Sequence, residues 1–540
     1  MLRALLNRVR AGGAEEVRTL RQRAQEAVRS GDLQDARALL ERALALDPAS
    51  PDAHSDLGNV HLLLGADGQA ERCYEAALAQ APGHAAALAN RALLRARAGD
   101  RTAALEGFRA ALRADAWSAP ALEGLVGWLP GDAVPHADIA LVRAIVERHP
   151  DHAQAHAALG RLHLRGSFDC APALEHLERA LALGRRDADT LAAYGVALHE
   201  SGRFDDALAA YDAALAAAPA HVLARFHRAT TLLTLGRFGA AWPDYELRLA
   251  SEDRPRRAFP FPRWQGEDLG GRTILVHAEQ GIGDEILFAS CLPQVIARAK
   301  RCVVDCAPKL APIFARSFPS ATVHAGLQSD PVDWAAPLGI DVQIAVGSLP
   351  LHLRREEGDF PPPTAYLRAD AASVERWRGR LRALGPGRAI GVSWRGGTPR
   401  TRTERRSLTL DEFAPVLALP GLHCVSLQYG PDAQAEVARF VAATGIRVHH
   451  WPEAVDDYDE TAALAAALDG IVSVCTAIVH LGGALGRPVW VATPRVPEWR
   501  YGMRGERMPW YPGVRLFRQT HGGSWAPVVE AMRRDLAAAA

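Results

Sequence analysis

Three short stretches of this 540-residue sequence carry residue types whose spacing suits chemistry on a phosphorylated ligand. The first, Gln280-Gly281-Ile282-Gly283-Asp284, lies between an apolar run and a helical pattern. Its two glycines permit a tight turn and let the backbone approach a ligand closely. Asp284 has two readings there: the N-cap of the helix that follows, or a carboxylate base. The second stretch, Cys475-Thr476-Ala477-Ile478-Val479-His480, also joins a strand-like run to a helix, which Gly486 and Pro488 close. Free amides at such a helix start, aided by the dipole, suit a diphosphate without a metal. Thr476 is equally an ordinary cap, and His480 a packed core histidine. The third is the loop 394–407, beginning Trp394-Arg395-Gly396-Gly397 and ending Arg405-Arg406-Ser407, with five Arg against one Glu. Guanidinium forks match phosphate oxygens; the alternative is a solvated surface loop.

These stretches need a rigid frame. Apolar runs at 273–278, 302–306, 322–324, 389–394, 424–428, 471–474 and 489–492 are predicted strands, with helices over 285–299 and 373–384. Near-continuous apolar strands separated by helices imply parallel sheets buried on both faces. Two such series imply two Rossmann-like lobes, 271–370 and 371–540, facing across a cleft. The preceding segment, 251–270, is rich in Pro and Arg in its first part and reads as an extended linker. A repeat with a step of about 34 residues fills 16–250, behind an N-terminal segment, 1–15. Gly31, Gly65, Gly99, Gly131, Gly166, Gly202 and Gly236 mark one turn per unit. Ala43, Ala77, Ala111, Ala180 and Ala214 form a second column, with Leu40, Tyr74, Phe108, Leu177 and Tyr211 three residues before each. Small Ala lets paired helices approach, and the bulky partner fills the neighbouring groove. Each unit buries its apolar face only by stacking on the next.

Composition excludes several classes. Lys+Arg and Asp+Glu both total 62, so no global field recruits nucleic acid or acidic lipid. Seven scattered cysteines argue against a disulfide framework and for a reducing compartment, with the cytoplasm as the expected address. Cys302 and Cys306 read as strand residues, and no second pair at zinc spacing accompanies them, so no metal site is expected. No run reaches the roughly 18 uncharged apolar residues of a transmembrane helix.

The repeat columns resemble the tetratricopeptide repeat, read either as a spacer or dimerisation arm or as a peptide-binding concave face. The asparagine ladder of the O-GlcNAc transferase arm is not matched, because Asn7, Asn59 and Asn90 are out of register. The rest resembles the GT-B glycosyltransferases of the ADP-heptose:lipopolysaccharide heptosyltransferase type (glycosyltransferase family 9), and more closely bacterial tetratricopeptide proteins that carry such a domain. The resemblance rests on Tyr245-Glu246-Leu247-Arg248, Ala278–Asp284, Arg405-Arg406-Ser407-Leu408, Val425-Ser426-Leu427-Gln428, Thr461-Ala462-Ala463-Leu464 and Trp510-Tyr511-Pro512. It implies an α plus α/β chain, a repeat solenoid followed by a GT-B pair of lobes. It also implies an inverting, metal-independent enzyme without a cofactor, acting from a nucleotide-sugar donor on a protein or glycan acceptor held by the repeats. Asp284 would be the base. The donor would meet Gly281, Gly283, Trp394, Arg395, Arg406, Ser407, Gln428, Cys475, Thr476, Ala477 and His480. The family motif Asp-Thr-x-x-x-His matches at Thr476 and His480, with Cys475 in place of Asp. That departure leaves a second reading open, a scaffold whose GT-B domain has lost turnover. A nucleotide-sugar epimerase is a third.

Overall fold

The computed structural model describes the chain apart from residues 1, 130–133, 167–169, 251–256, 328, 361–364, 398–402, 521–522 and 540, with side chains from residue 14 onward. It divides into two compact units, Met1–Ser201 and Gly202–Ala540.

The first unit is a solenoid of helices joined by short turns, beginning with Leu2–Ser30, Leu33–Leu46, Pro51–Leu63, Asp67–Gln80, Ala85–Arg97 and Arg101–Ala114. The predicted columns are its core: Ala43, Ala77, Ala111 and Ala180 are fully buried, as are Leu40, Tyr74, Phe108 and Leu177 beside them. A further set of glycines matters for size rather than backbone freedom. A β-carbon at Gly58 would stand 2.5 Å from the Tyr74 ring, and one at Gly124 would stand 2.3 Å from Phe108. Asn59 and Asn90, out of register in sequence, meet in space, with Asn90 Nδ2 donating to Asn59 Oδ1 at 2.7 Å. Gly131 lies outside the described residues.

The second unit opens with the helices Phe204–Ala217, Val222–Thr234 and Phe238–Tyr245 and then forms two sheets. In the first sheet β1 (Thr273–His277), β2 (Arg301–Cys306), β3 (Ala321–Ala325) and β4 (Val342–Ala345) run parallel in the order β3-β2-β1-β4. The second contains β5 (Arg388–Ser393), β6 (Leu422–Ser426), β7 (Val448–His449), β8 (Gly470–Val474), β9 (Val489–Thr493), β10 (Arg507–Met508) and β11 (Tyr511–Arg518). Its order is β10-β11-β9-β8-β5-β6-β7, and only β10 runs antiparallel to its neighbour. Every residue of β8 and β9 is buried, as strands covered on both faces must be.

Four sequence expectations change. The helix drawn over 285–299 is two, Ile282–Ala289 and Leu292–Arg298, because Pro293 has no N–H and its ring would clash with the preceding turn. The first of these starts at Ile282 with Gly281 as N-cap, so Asp284 lies in the first turn and is not the cap. The boundary drawn at 250 falls inside the second unit. Trp242 is buried there and donates its indole N–H to Arg354 O at 2.7 Å. Finally, the described part of the linker is docked. Arg263 bridges in parallel to Gln343 of β4, and Gln343 N donates to Pro262 O at 2.8 Å. Phe259 and Trp264 give that segment apolar surface to bury, and both are buried.

Candidate functional site

β1 ends at His277, and the chain turns through Gly281 into the helix carrying Asp284. Asp284 Oδ1 accepts from Arg500 Nε at 2.6 Å, and Arg500 Nη2 completes the ion pair. Arg500 belongs to the short 3₁₀ turn Trp499–Tyr501 that follows the second sheet's β9, so one contact ties the two sheets' loops together. Burial pulls the Arg500 guanidinium down, but the facing carboxylate of Asp284 together with Tyr245 and Tyr501 pushes it up, leaving it above its ordinary value. With its amide oxygen toward Tyr245 and Arg248, Gln280 donates Nε2 to Asp284 Oδ2 at 3.1 Å.

The opposite wall is the helix Ala477–Ala484. Thr476 caps it, its Oγ1 accepting from Ile478 N at 3.2 Å. A β-carbon at Gly283 would lie 3.2 Å from His480 Cδ2 and 3.6 Å from Ala477 Cβ, so the Gly-Asp turn and the Thr476 helix start face each other at contact distance. The small residues Gly283 and Ala477 are what allow it. His480 is only 4% exposed, and its Nδ1 has no partner among the described residues. Burial first, then the charges of Arg500 and Arg406, hold its pKa down to about 3, so the ring is neutral.

The Arg-rich loop supplies the third wall. Arg406 pairs with Glu498 and donates Nε to Gly396 O at 3.2 Å. Gly396 N donates to Ser407 Oγ at 3.2 Å, and a β-carbon at Gly396 would stand 2.6 Å from Cys475 O. The loop therefore rests directly on the turn that starts the Thr476 helix. Arg395 Nη2 reaches Glu436 Oε2 at 3.1 Å. Arg395 Nε and Glu498 Oε2, like His480 Nδ1, are buried without partners among the described residues. Orphaned buried polar atoms such as these are what a polar ligand would satisfy. Arg400 and Arg402 lie outside the described residues.

Three predicted ligand contacts have their side chains engaged elsewhere. Trp394 is core, 1% exposed, with its indole N–H on Glu436 Oε2 at 2.8 Å. Gln428 Oε1 accepts from Trp394 N and Arg395 N at 3.1 and 2.9 Å, fixing the loop's exit rather than facing the cleft. Cys475 points into the second sheet toward Ala492 O, and burial pushes its thiol up to about 12, so it is neutral there. The sequence reading missed Arg500 and Glu498, which sit in an irregular turn with no periodicity. It also missed Glu285, whose buried carboxyl is pushed up to about 7 by burial and by the nearby Asp305 and Asp284, although it accepts from Ala307 N.

Tyr245-Glu246-Leu247-Arg248 closes the back of the site. Arg248 Nη2 donates to Glu279 Oε1 at 2.9 Å and Nη1 to Glu246 Oε1 at 2.6 Å. A cavity of about 830 Å³ opens beside Gln280 and Arg500, walled by Val222, Phe226, Tyr245 and Phe259.

Comparison with known proteins places this architecture. Residues 27–94 and 195–258 each match the tetratricopeptide repeat family. Protein FlbA of Caulobacter vibrioides (strain ATCC 19089 / CIP 103742 / CB 15) is 33% identical over 422 residues, which are 74% of this chain and 70% of FlbA. The chain belongs to the FlbA family. The tetratricopeptide repeats imply a protein-interaction scaffold, carried in the same chain as the parallel sheets. Among solved structures, Pseudomonas aeruginosa PilF is 18% identical, covering 44% of this chain and 90% of its own, with a TM-score of 0.29. PilW, a widely conserved type IV pilus biogenesis factor, is 19% identical, covering 39% and 96%, with a TM-score of 0.32. No helix among the described residues is long and apolar enough to cross a membrane.

Proposed function

We propose that the second unit is a GT-B glycosyltransferase of the family 9 type, moving a sugar from a nucleotide-sugar to a protein or glycan acceptor recruited by the repeats. The observation that carries this reading is the meeting of the Gly283-Asp284 turn with the Thr476–His480 helix start, two motifs far apart in sequence. The acceptor hydroxyl approaches through the cavity beside Gln280. Its proton passes to Asp284 while its oxygen attacks the anomeric carbon. The bond from that carbon to the diphosphate oxygen breaks on the far side, which inverts the centre. The departing charge is met by the amides at the Thr476 helix start and by Arg406, doing the work a metal does elsewhere.

The test is direct. A panel of nucleotide-sugars is incubated with the full chain, and release of nucleoside diphosphate is followed with and without chelator. Slow hydrolysis of one donor, indifferent to chelator and lowered roughly 10²–10⁴-fold in Asp284→Asn, is expected. Collapse of binding in chelator would remove the metal-independent reading. Cys475 favours a second reading, a binding scaffold without turnover, since a neutral thiol stands where the family carries a carboxylate. Donor binding without hydrolysis by the wild type, with hydrolysis gained in Cys475→Asp, would select it.

A further inference from the structure

Two arginines face the Thr476 helix start, and each is held by a carboxylate: Arg406 by Glu498 and Arg500 by Asp284. Asp284 follows Gly283, which meets Ala477 and His480 at contact distance, and Arg406 is hydrogen-bonded to Gly396 O in the loop resting on Cys475 and Thr476, so both pairs lie beside that helix start. His480 Nδ1 on that helix and Glu498 Oε2 beside Arg406 are buried without hydrogen-bond partners among the described residues. The two carboxylates thus neutralise cations that a diphosphate would otherwise claim. Glu498 is a neighbour of Arg500 on one turn, but Asp284 comes from the other lobe and is the residue placed as base. Asp284 Oδ1 is occupied by Arg500 Nε at 2.6 Å, so the oxygen that an acceptor hydroxyl would approach already holds a buried cation.

We infer that Arg500 is a donor-phosphate ligand that exchanges partners, leaving Asp284 for the diphosphate when the nucleotide-sugar binds and thereby freeing the base only in the loaded site. This rests on the donor reading proposed above and adds a residue and an order of events to it. Gln280 stays behind as the donor to Asp284 Oδ2, keeping the carboxylate aimed once the cation has left. Acceptor deprotonation then waits on donor occupancy.

The exchange makes a counterintuitive demand: removing the charge of the catalytic base must tighten the donor product. UDP, ADP, GDP and CDP are titrated calorimetrically, in chelator, into the full chain and into Asp284→Asn, Arg500→Gln and the double variant. Asp284→Asn should bind the preferred nucleotide about tenfold tighter, because Arg500 no longer has to leave a carboxylate. Arg500→Gln should bind it about tenfold more weakly, and Arg500→Lys should restore part of the loss. In the Arg500→Gln background, Asp284→Asn should gain nothing. Should Arg500→Gln fail to fold, the Lys variant and Asp284→Asn alone still decide. Unchanged or weaker binding by Asp284→Asn overturns the exchange. A gain that persists without Arg500 also overturns it, since it would report simple repulsion between Asp284 and the phosphates. If none of the four nucleotides binds any variant, the donor reading itself falls, a result distinct from either.

Discussion

Replacing Gly396 by alanine tests whether the Arg-rich loop is seated on the Thr476 turn by steric fit. The added methyl would stand 2.6 Å from Cys475 O and 2.6 Å from Thr476 Cγ2, whereas ordinary contact begins near 3.4 Å. Relief needs a separation of about 0.8 Å, in a place where the neighbours are the Cys475 carbonyl and the short, branched side chain of the capping Thr476. Overpacking of this kind costs about 1–3 kcal/mol. Against it stands the reduced freedom of the unfolded chain, worth about 0.4–1 kcal/mol. A net loss of about 1–2 kcal/mol is expected, read by chemical denaturation. Arg406 hangs from Gly396 O, so the displaced loop carries the guanidinium away from the helix start, and nucleoside diphosphate affinity should fall at least about tenfold. Gly379→Ala is the control. It sits in the helix Ala371–Arg382 with nothing within 4 Å of the added carbon, and should stabilise by about 0.5–1 kcal/mol. A Gly396→Ala protein as stable as wild type, with undiminished affinity, would refute the steric seating of the loop.

Other outcomes follow from the same geometry. Arg406→Ala should weaken nucleoside diphosphate binding by about 1.5–3 kcal/mol, the range for a charge-assisted hydrogen bond, in calorimetry at fixed salt. Glu285 titrates near 7 when folded and near 4.5 when unfolded, so between those pH values the folded state holds the extra proton and stability falls as pH rises. Glu285→Gln should flatten that slope and raise stability above pH 7 by about 2–3 kcal/mol, seen as a melting difference that vanishes near pH 4. Cys475, neutral and 1% exposed, should resist iodoacetamide in the folded protein and react on denaturation; rapid native labelling detected by mass spectrometry would contradict its placement.

The repeat half was legible because its period is written many times over: Ala77 and Tyr74, or Ala111 and Phe108, answer to the same packing rule. The central strands were legible for a related reason, as unbroken apolar runs such as 471–474. What escaped lacks a repeated signal. Val342–Ala345 is too short to stand out, and Tyr511–Arg518 contains Pro and Gly that demote a strand in sequence. The aromatic residues of Phe238–Tyr245 gave no sign in sequence that this helix, inside a repeat match, also anchors the sheets through Trp242 and Arg354 O. At the site, Asp284, Thr476 and Arg406 stood out in sequence through their motifs, whereas nothing there indicated that the side chains of Trp394, Gln428 and Cys475 are engaged within the fold. Arg500, paired with Asp284, escaped because no spacing rule announces an arginine in an irregular turn.

The division at Ser201 also has a meaning in time. During synthesis the first unit is complete before any residue of Gly202–Ala540 has been added. The second sheet cannot close until β11 reaches β9, close to the end of the described chain. At translation rates of roughly 5–20 residues per second, the arm would emerge and fold tens of seconds ahead of the sheets. A partner that recognises the arm would therefore meet it on the ribosome, before the chain that bears it has a site to act with.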